Sequence, residues 1–220
     1  MRWALALLCT AGLLATLAGS ARAGAVLQVD STDAQCGTNG HPYCTIQAAV
    51  NAASPGDTID VAAGTYGELV TVNKQLTLNG AQSGVDARTR SAPETVVDGS
   101  AGSTAFNVTA SDVTIDGFTV QDETNANEFG SGILLGPGTS GTHVVNDIVK
   151  DSITGLSLAN ASSTDQTVIQ HDLFADNNQP GPISGTAIYS DQFAAGGTLQ
   201  DVLIDANQFT GNDNGAIVLD

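Results

Sequence analysis

Two short apolar signatures alternate in a fixed order through the second half of the chain. The first places an aliphatic residue five positions before a second apolar residue, and it recurs in steps of 29, 25 and 35 residues. The second is a Gly or Ala followed by aliphatic residues, and it occupies residues 132–135, 155–158, 187–189 and 216–219. Alternating signatures are typical of a solenoid in which each repeat is one coil, and the unequal steps indicate insertions in the loops. The first signature consists of the pairs Ile115/Val120, Val144/Val149, Ile169/Phe174 and Ile204/Phe209.

The first half of the chain contains short β-type segments separated by Gly, Asn, Asp and Ser. Few two-residue hairpin turns separate these segments, so they suit stacked coils better than a sandwich of hairpins. The sequence therefore predicts an all-β chain folded as a parallel β-helix of about six or seven coils of about 25–30 residues. The predicted strands here are residues 58–61, 70–72, 76–78, 95–97, 105–108 and 113–115.

One segment before the coils reads as a helix, over residues 45–53. Thr45 is a suitable N-cap, and Ser54-Pro55-Gly56 ends the helix. We expect this helix to cover the N-terminal end of the core. Cys36 and Cys44 precede it, and in an exported protein they are expected to form a disulfide that closes a short loop.

Residues 1–23 have the features of a secretory signal peptide, namely a basic start, an apolar region and a small-x-small cleavage site. No later apolar run is long enough to cross a membrane, so we expect a secreted protein, extracellular or at the cell surface. Without Arg2 and Arg22, four basic residues stand against 23 acids, which gives a formal charge of −19. Such a charge disfavours nucleic acid, anionic lipid and, unless cations intervene, polyanionic sugars as partners.

Two stretches resemble the secreted right-handed parallel β-helix proteins of the pectin-lyase-like superfamily. Residues 42–53, 56–61 and 64–66 are similar to the helix cap and first coil of β-helix repeat proteins and, more loosely, of pectinesterases. The repeat over residues 113–219 is the second stretch. Together with the signal (1–23), the resemblance divides the chain into an N-terminal cap (24–57) and β-helix coils (58–220). It also implies a function in binding or processing extracellular polysaccharide.

The catalytic segments of the enzymes in this superfamily are not complete in the sequence. It contains no Asp-Asp or Gly-His-Gly segment and no Trp after the signal, and Lys150 is the one Lys or Arg on the repeats. Catalytic residues are therefore not assigned. An active chain would be a polysaccharide lyase or a glycoside hydrolase, and the alternative is a structural or adhesive surface solenoid without activity.

An acidic column is the main candidate ligand site. Asp122, Asp151 and Asp176 each stand two residues after the apolar end of the first signature, and equivalent positions on adjacent coils lie roughly 4.8 Å apart. The column is either a calcium or sugar-hydroxyl site or a set of solvated turn residues. Weaker candidates are Lys150, as a lyase base or a surface counter-charge, and His171, as a general base or an outward-facing residue without a role.

The last residues, 215–219, read as a core-lining strand with no capping element after it. An uncovered coil exposes apolar side chains and unpaired backbone groups. We therefore expect either that the chain is part of a longer β-helix or that it associates end to end through this coil.

Overall fold

The computed structural model describes residues 24–100, 102, 104–125 and 130–220; the predicted signal peptide lies outside these residues. The described chain begins with strand β1 (Val26–Val29), continues through helix α1 (Ile46–Ala52) and then forms six coils of three short strands each. The first three coils contain β2 (Thr58–Val61), β3 (Gly64–Tyr66) and β4 (Val70–Val72); β5 (Thr77–Asn79), β6 (Thr95–Asp98) and β7 (Thr104–Val108); and β8 (Thr114–Asp116), β9 (Phe118–Gln121) and β10 (Ser131–Leu135).

The last three coils repeat the same order of strands. They contain β11 (His143–Val145), β12 (Ile148–Lys150) and β13 (Thr154–Ser157); β14 (Thr167–Gln170), β15 (Leu173–Ala175) and β16 (Thr186–Ser190); and β17 (Val202–Asp205), β18 (Gln208–Thr210) and β19 (Gly215–Leu219).

Equivalent strands of successive coils stack into three parallel sheets. Sheet A joins β1 to the first strand of every coil, sheet B joins the second strands, and sheet C joins the third strands. This topology confirms the predicted parallel β-helix. The registers also confirm the repeat: Ile115, Val144, Ile169 and Ile204 form one column in sheet A, and Val120, Val149, Phe174 and Phe209 form another in sheet B.

The N-terminal end of the core is covered as expected. Ile46, Ala49 and Val50 on one face of α1 are buried, and the helix packs against β1, β2 and β4. Thr45 is the N-cap, since its side chain accepts a hydrogen bond of 3.2 Å from the Ala48 amide. The Lys74 ammonium donates to three carbonyl oxygens at the other end of the helix, those of Val50, Asn51 and Ala53. The predicted disulfide is confirmed, between Cys36 and Cys44.

The connection between β5 and β6 is a long loop, residues 80–94, which we call the strap. It crosses the corner between sheets A and B over several coils. Its Gln82 and Ala87 amides donate to the carbonyl oxygens of Gly117 and His171, and the Arg90 guanidinium donates to that of Asn146. Gly117, Asn146 and His171 are equivalent residues of coils 3, 4 and 5, and all have left-handed backbone angles. The strap therefore hydrogen-bonds carbonyl groups that the sheets leave unpaired at this corner.

Coil 6 is less covered than the others. Ile217 is 41% exposed, and the core-facing Ile204 and Phe209 are only partly buried. End-to-end association through this coil stays a prediction. In the part of the chain that the structure describes, no helix has the length and hydropathy needed to span a bilayer.

Candidate functional site

A cleft of about 390 Å³ lies on the outer face of sheet C. Its floor is a column of three residues in register, Leu134 of β10, Ser157 of β13 and Tyr189 of β16. These side chains point outward because they follow Ile133, Leu156 and Ile188, which are fully buried in the core, and successive residues of a strand face opposite sides. The cleft thus crosses coils 3, 4 and 5.

Three loops, one from coil 3 and two from coil 5, form the walls of the cleft. Pro137 follows β10, Ile183 precedes β16, and the turn after β16 contributes Phe193 and Ala194. Phe193 is 79% exposed, an unusual position for a large apolar ring. The walls are mostly apolar, and Tyr189 and Phe193 are the aromatic residues among the described residues that line the cleft.

Asp191 hydrogen-bonds the Tyr189 side chain and the backbone of the turn that carries Phe193. Its Oδ1 accepts hydrogen bonds from the amides of Phe193 (2.8 Å) and Ala194 (2.6 Å), and its Oδ2 accepts one from the Tyr189 hydroxyl (2.9 Å). The hydrogen bond from the Ala194 amide is the main cause that lowers the pKa of Asp191. A carboxylate held ionised in this way is a poor general acid. Asp191 is the one carboxyl group among the described residues that line the cleft.

None of the candidate residues from the sequence lines this cleft. Asp122, Asp151 and Asp176 follow β9, β12 and β15 at equivalent positions, as the repeat predicts, and all have left-handed backbone angles (φ of 67°, 56° and 54°). Their column is at the corner between sheets B and C. Asp122 accepts a hydrogen bond of 2.6 Å from the Gln121 amide group.

The two weaker candidates lie apart from each other. Lys150 forms an ion pair of 2.9 Å with Asp151, and both side chains are more than one third exposed. His171 is half-buried in the turn between β14 and β15, with a left-handed backbone angle, and its carbonyl oxygen accepts the hydrogen bond from the strap.

The calcium hypothesis stays a prediction. The described residues contain no group of three or more His, Cys, Asp or Glu side chains arranged to hold a metal ion. If Asp122, Asp151 and Asp176 share calcium, a hundredfold excess of calcium over its dissociation constant raises the free energy of unfolding by about 2.7 kcal/mol. Thermal unfolding with calcium and with chelator measures this. An equal shift in Asp151→Ala, or no shift in the unmodified protein, contradicts a shared site.

Three acids with fully buried side chains were not recognised as such in the sequence. Asp147 and Asp172 lie in the corner between sheets A and B, and their side chains point into the core. Glu123 lies at the next corner, between sheets B and C. Burial, followed by the charges of Asp98 and Asp122, raises the pKa of Glu123 to about 9. The available signal was the spacing, because Asp147, Asp172 and Asn207 recur in the same steps of 25 and 35 residues as the apolar signature.

The three sheets and the cleft across one of them define the class of this molecule, a parallel β-helix protein with a surface groove. At the level of the fold, this is the architecture that the resemblance to pectin-lyase-like proteins implied. No protein-family profile and no curated protein sequence matches the chain.

Two solved structures are similar to the chain, both of the pectin methylesterase from Aspergillus niger. The deglycosylated form has 15% sequence identity and a TM-score of 0.48, over 78% of this chain and 57% of that one. The penultimately deglycosylated form has 14% identity and a TM-score of 0.48, over 91% of this chain and 66% of that one. This chain thus spans 57–66% of the length of the structures it matches.

Proposed function

We propose that this protein is a secreted β-helix that binds neutral extracellular polysaccharide in the cleft on sheet C. The observation that carries the proposal is the pair of aromatic residues, Tyr189 and Phe193, in a mostly apolar groove, where the Tyr189 hydroxyl and the Phe193 backbone amide both donate to the Asp191 carboxylate. Aromatic rings offer flat apolar surfaces for the CH-bearing face of a sugar ring, and the Tyr189 hydroxyl, which donates to Asp191, can accept a hydrogen bond from a sugar hydroxyl.

Charge supports a neutral polymer. The chain has a formal charge of −17, and the described residues that line the cleft include no Lys or Arg. A uronic-acid polymer would meet Asp191 with no cation to offset the repulsion. The disulfide supports export, because such bonds persist in oxidising compartments.

The test is binding of the exported protein to soluble xyloglucan, galactan and polygalacturonate, measured by calorimetry with and without calcium. We expect binding to a neutral polymer and none to polygalacturonate without calcium. In the double variant Tyr189→Ala/Phe193→Ala we expect affinity to fall roughly tenfold or more, since each ring contributes on the order of 1 kcal/mol.

Leu203→Ala is the matched control, because Leu203 is an exposed apolar residue (39%) on the outer face of sheet A, away from the cleft. It should bind like the unmodified protein. If no neutral polymer binds, or if the double variant binds equally well, the cleft is not a polysaccharide site and the alternative of a structural or adhesive solenoid is favoured.

A further inference from the structure

The buried acids at the corner between sheets A and B belong to a ladder of hydrogen bonds through the core. Asp147 Oδ1 accepts from the Phe118 amide (2.7 Å), Asp172 Oδ1 accepts from the Asp147 amide (2.7 Å), and Asn207 Oδ1 accepts from the Asp172 amide (2.9 Å). The ladder therefore joins coils 3 to 6, with an acid in coils 4 and 5 and an amide in coil 6.

Asn207 occupies the position in coil 6 that is equivalent to Asp147 and Asp172. Its side-chain nitrogen, Nδ2, stands where the acids have their second oxygen, Oδ2. Its Nδ2 donates a hydrogen bond of 2.8 Å to the carbonyl oxygen of Ile169 in coil 5. Ile169 is the register partner of Ile204, and Ile204 lies three positions before Asn207. The neighbouring corner follows the same rule: Asn177 Nδ2 donates to Val149 and Asn212 Nδ2 donates to Phe174, at 2.9 and 3.0 Å.

The same register assigns a carbonyl acceptor to each acid. The equivalent acceptor for Asp172 is the carbonyl oxygen of Val144, and that for Asp147 is the carbonyl oxygen of Ile115. Both acids are fully buried, and in the described part of the chain neither Oδ2 atom has a hydrogen-bond partner. An ionised Oδ2 would face a carbonyl oxygen without a donor, whereas a protonated one would be the donor that the ladder needs.

We propose that Asp147 and Asp172 are a proton-binding site in the core: both are neutral carboxylic acids in the folded protein, and each Oδ2 hydroxyl donates to the carbonyl oxygen that an Asn would reach. The two protons are bound on folding, so folding is coupled to pH.

The charges around the pair agree with this proposal. Burial is the main cause that raises the pKa of both Asp147 and Asp172 well above its usual range. The charge of Asp147 raises the pKa of Asp172 further, and the charge of Asp116 on β8 raises the pKa of both. Arg90 on the strap acts in the opposite direction, but its guanidinium is bound to Glu94 and to two carbonyl groups. His171 directly precedes Asp172 in the turn between β14 and β15.

The consequence is that these two acids contribute more to the stability of the folded protein in acid than at neutral or alkaline pH. Because the pKa of each acid is higher in the folded than in the unfolded chain, the stabilisation is complete below the ordinary pKa of Asp, 3.8, and is lost as pH rises through the folded values.

Asp172→Asn tests this in the exported protein. The amide keeps the acceptor for the Asp147 amide and supplies a permanent donor, so the variant imitates coil 6. We expect its melting temperature to exceed that of the unmodified protein by roughly 4–8 °C at pH 8 and by less than about 1 °C at pH 4. Asp213→Asn, which removes the same charge from an exposed position, should show no pH-dependent gain.

Two further measurements keep the proposal falsifiable if Asp172→Asn does not fold. Asn207→Asp adds a third acid to the ladder and should make the melting temperature fall more steeply between pH 4 and pH 8. The side-chain carboxyl carbon resonances of Asp147 and Asp172 should stay in the protonated range at pH 7. Ionised resonances at pH 7, an equal gain for Asp172→Asn at pH 4 and pH 8, or restoration of stability at pH 8 by calcium would overturn the proposal.

Discussion

Replacing Arg90 with methionine is expected to lower the free energy of unfolding by about 3–5 kcal/mol. The Arg90 side chain is fully buried, and it joins three elements: it pairs with Glu94 at 2.9 Å and donates to the carbonyl oxygens of Phe118 (2.6 Å) and Asn146. Methionine fills similar space but leaves the partly buried Glu94 carboxylate without its charged partner, and it removes the Arg90 donor from two carbonyl groups. Chemical denaturation followed by circular dichroism measures the change.

The strap offers a matched control two residues away. Arg88 also pairs with a carboxylate, that of Asp86, but both side chains are about one third exposed. Solvent screens such a pair, so Arg88→Met should cost no more than about 1 kcal/mol. Arg90→Lys keeps the charge but not the planar set of donors, and we expect an intermediate loss. Equal effects of Arg88→Met and Arg90→Met would show that the buried hydrogen bonds contribute nothing beyond the surface pair.

The second large effect is expected for Phe174→Ala, at about 3–5 kcal/mol. Phe174 is fully buried in β15, and its ring stacks on that of Phe209 in the next coil, with centroids 5.5 Å apart. Truncation removes this contact and leaves a cavity between coils 5 and 6. Because each coil is stabilised mainly by its neighbours, we expect coil 6 to open first, with faster amide exchange in β17–β19 than in β8–β10.

Phe193→Ala is the appropriate comparison, since it deletes the same ring from a position that is 79% exposed. Its free energy of unfolding should change by no more than about 0.5 kcal/mol. A loss of the same size as for Phe174→Ala, or uniform exchange in all coils, would contradict the view that the Phe174 ring stabilises the stack locally.

The architecture could be predicted from the sequence because the position of a residue within the repeat determines which residues of the neighbouring coils it contacts. Val144, for example, has an aliphatic residue at the equivalent position of the coil before it, Ile115, and of the coil after it, Ile169. In a solenoid, equivalent positions of successive coils form one column of a sheet. The helix and the disulfide could also be predicted from the sequence, because an N-cap residue and a cysteine spacing are short-range signals.

The candidate cleft could not be predicted in the same way. Tyr189 and Phe193 are close in sequence, but Leu134 and Pro137 come from a coil more than 50 residues earlier and meet them only through the register of sheet C. The buried acids were missed for a different reason. Asp is a common turn residue. The repeat spacing of Asp147 and Asp172 indicates that they share a column, but the hydrogen-bond ladder is what shows that their side chains face the core and not solvent.

The unequal coil lengths have a consequence for how proteins of this shape can diversify. From coil 3 onward, the corner between sheets A and B is only one or two residues long, whereas the connections on both sides of sheet C range from three to eleven residues. Length changes are therefore concentrated beside the cleft and spare the columns that hold the stack together. A library of exchanged segments at residues 191–194, which contribute Asp191, Phe193 and Ala194 to the cleft, would remodel the groove without changing the core columns of the sheets, which makes the chain a scaffold for new recognition surfaces.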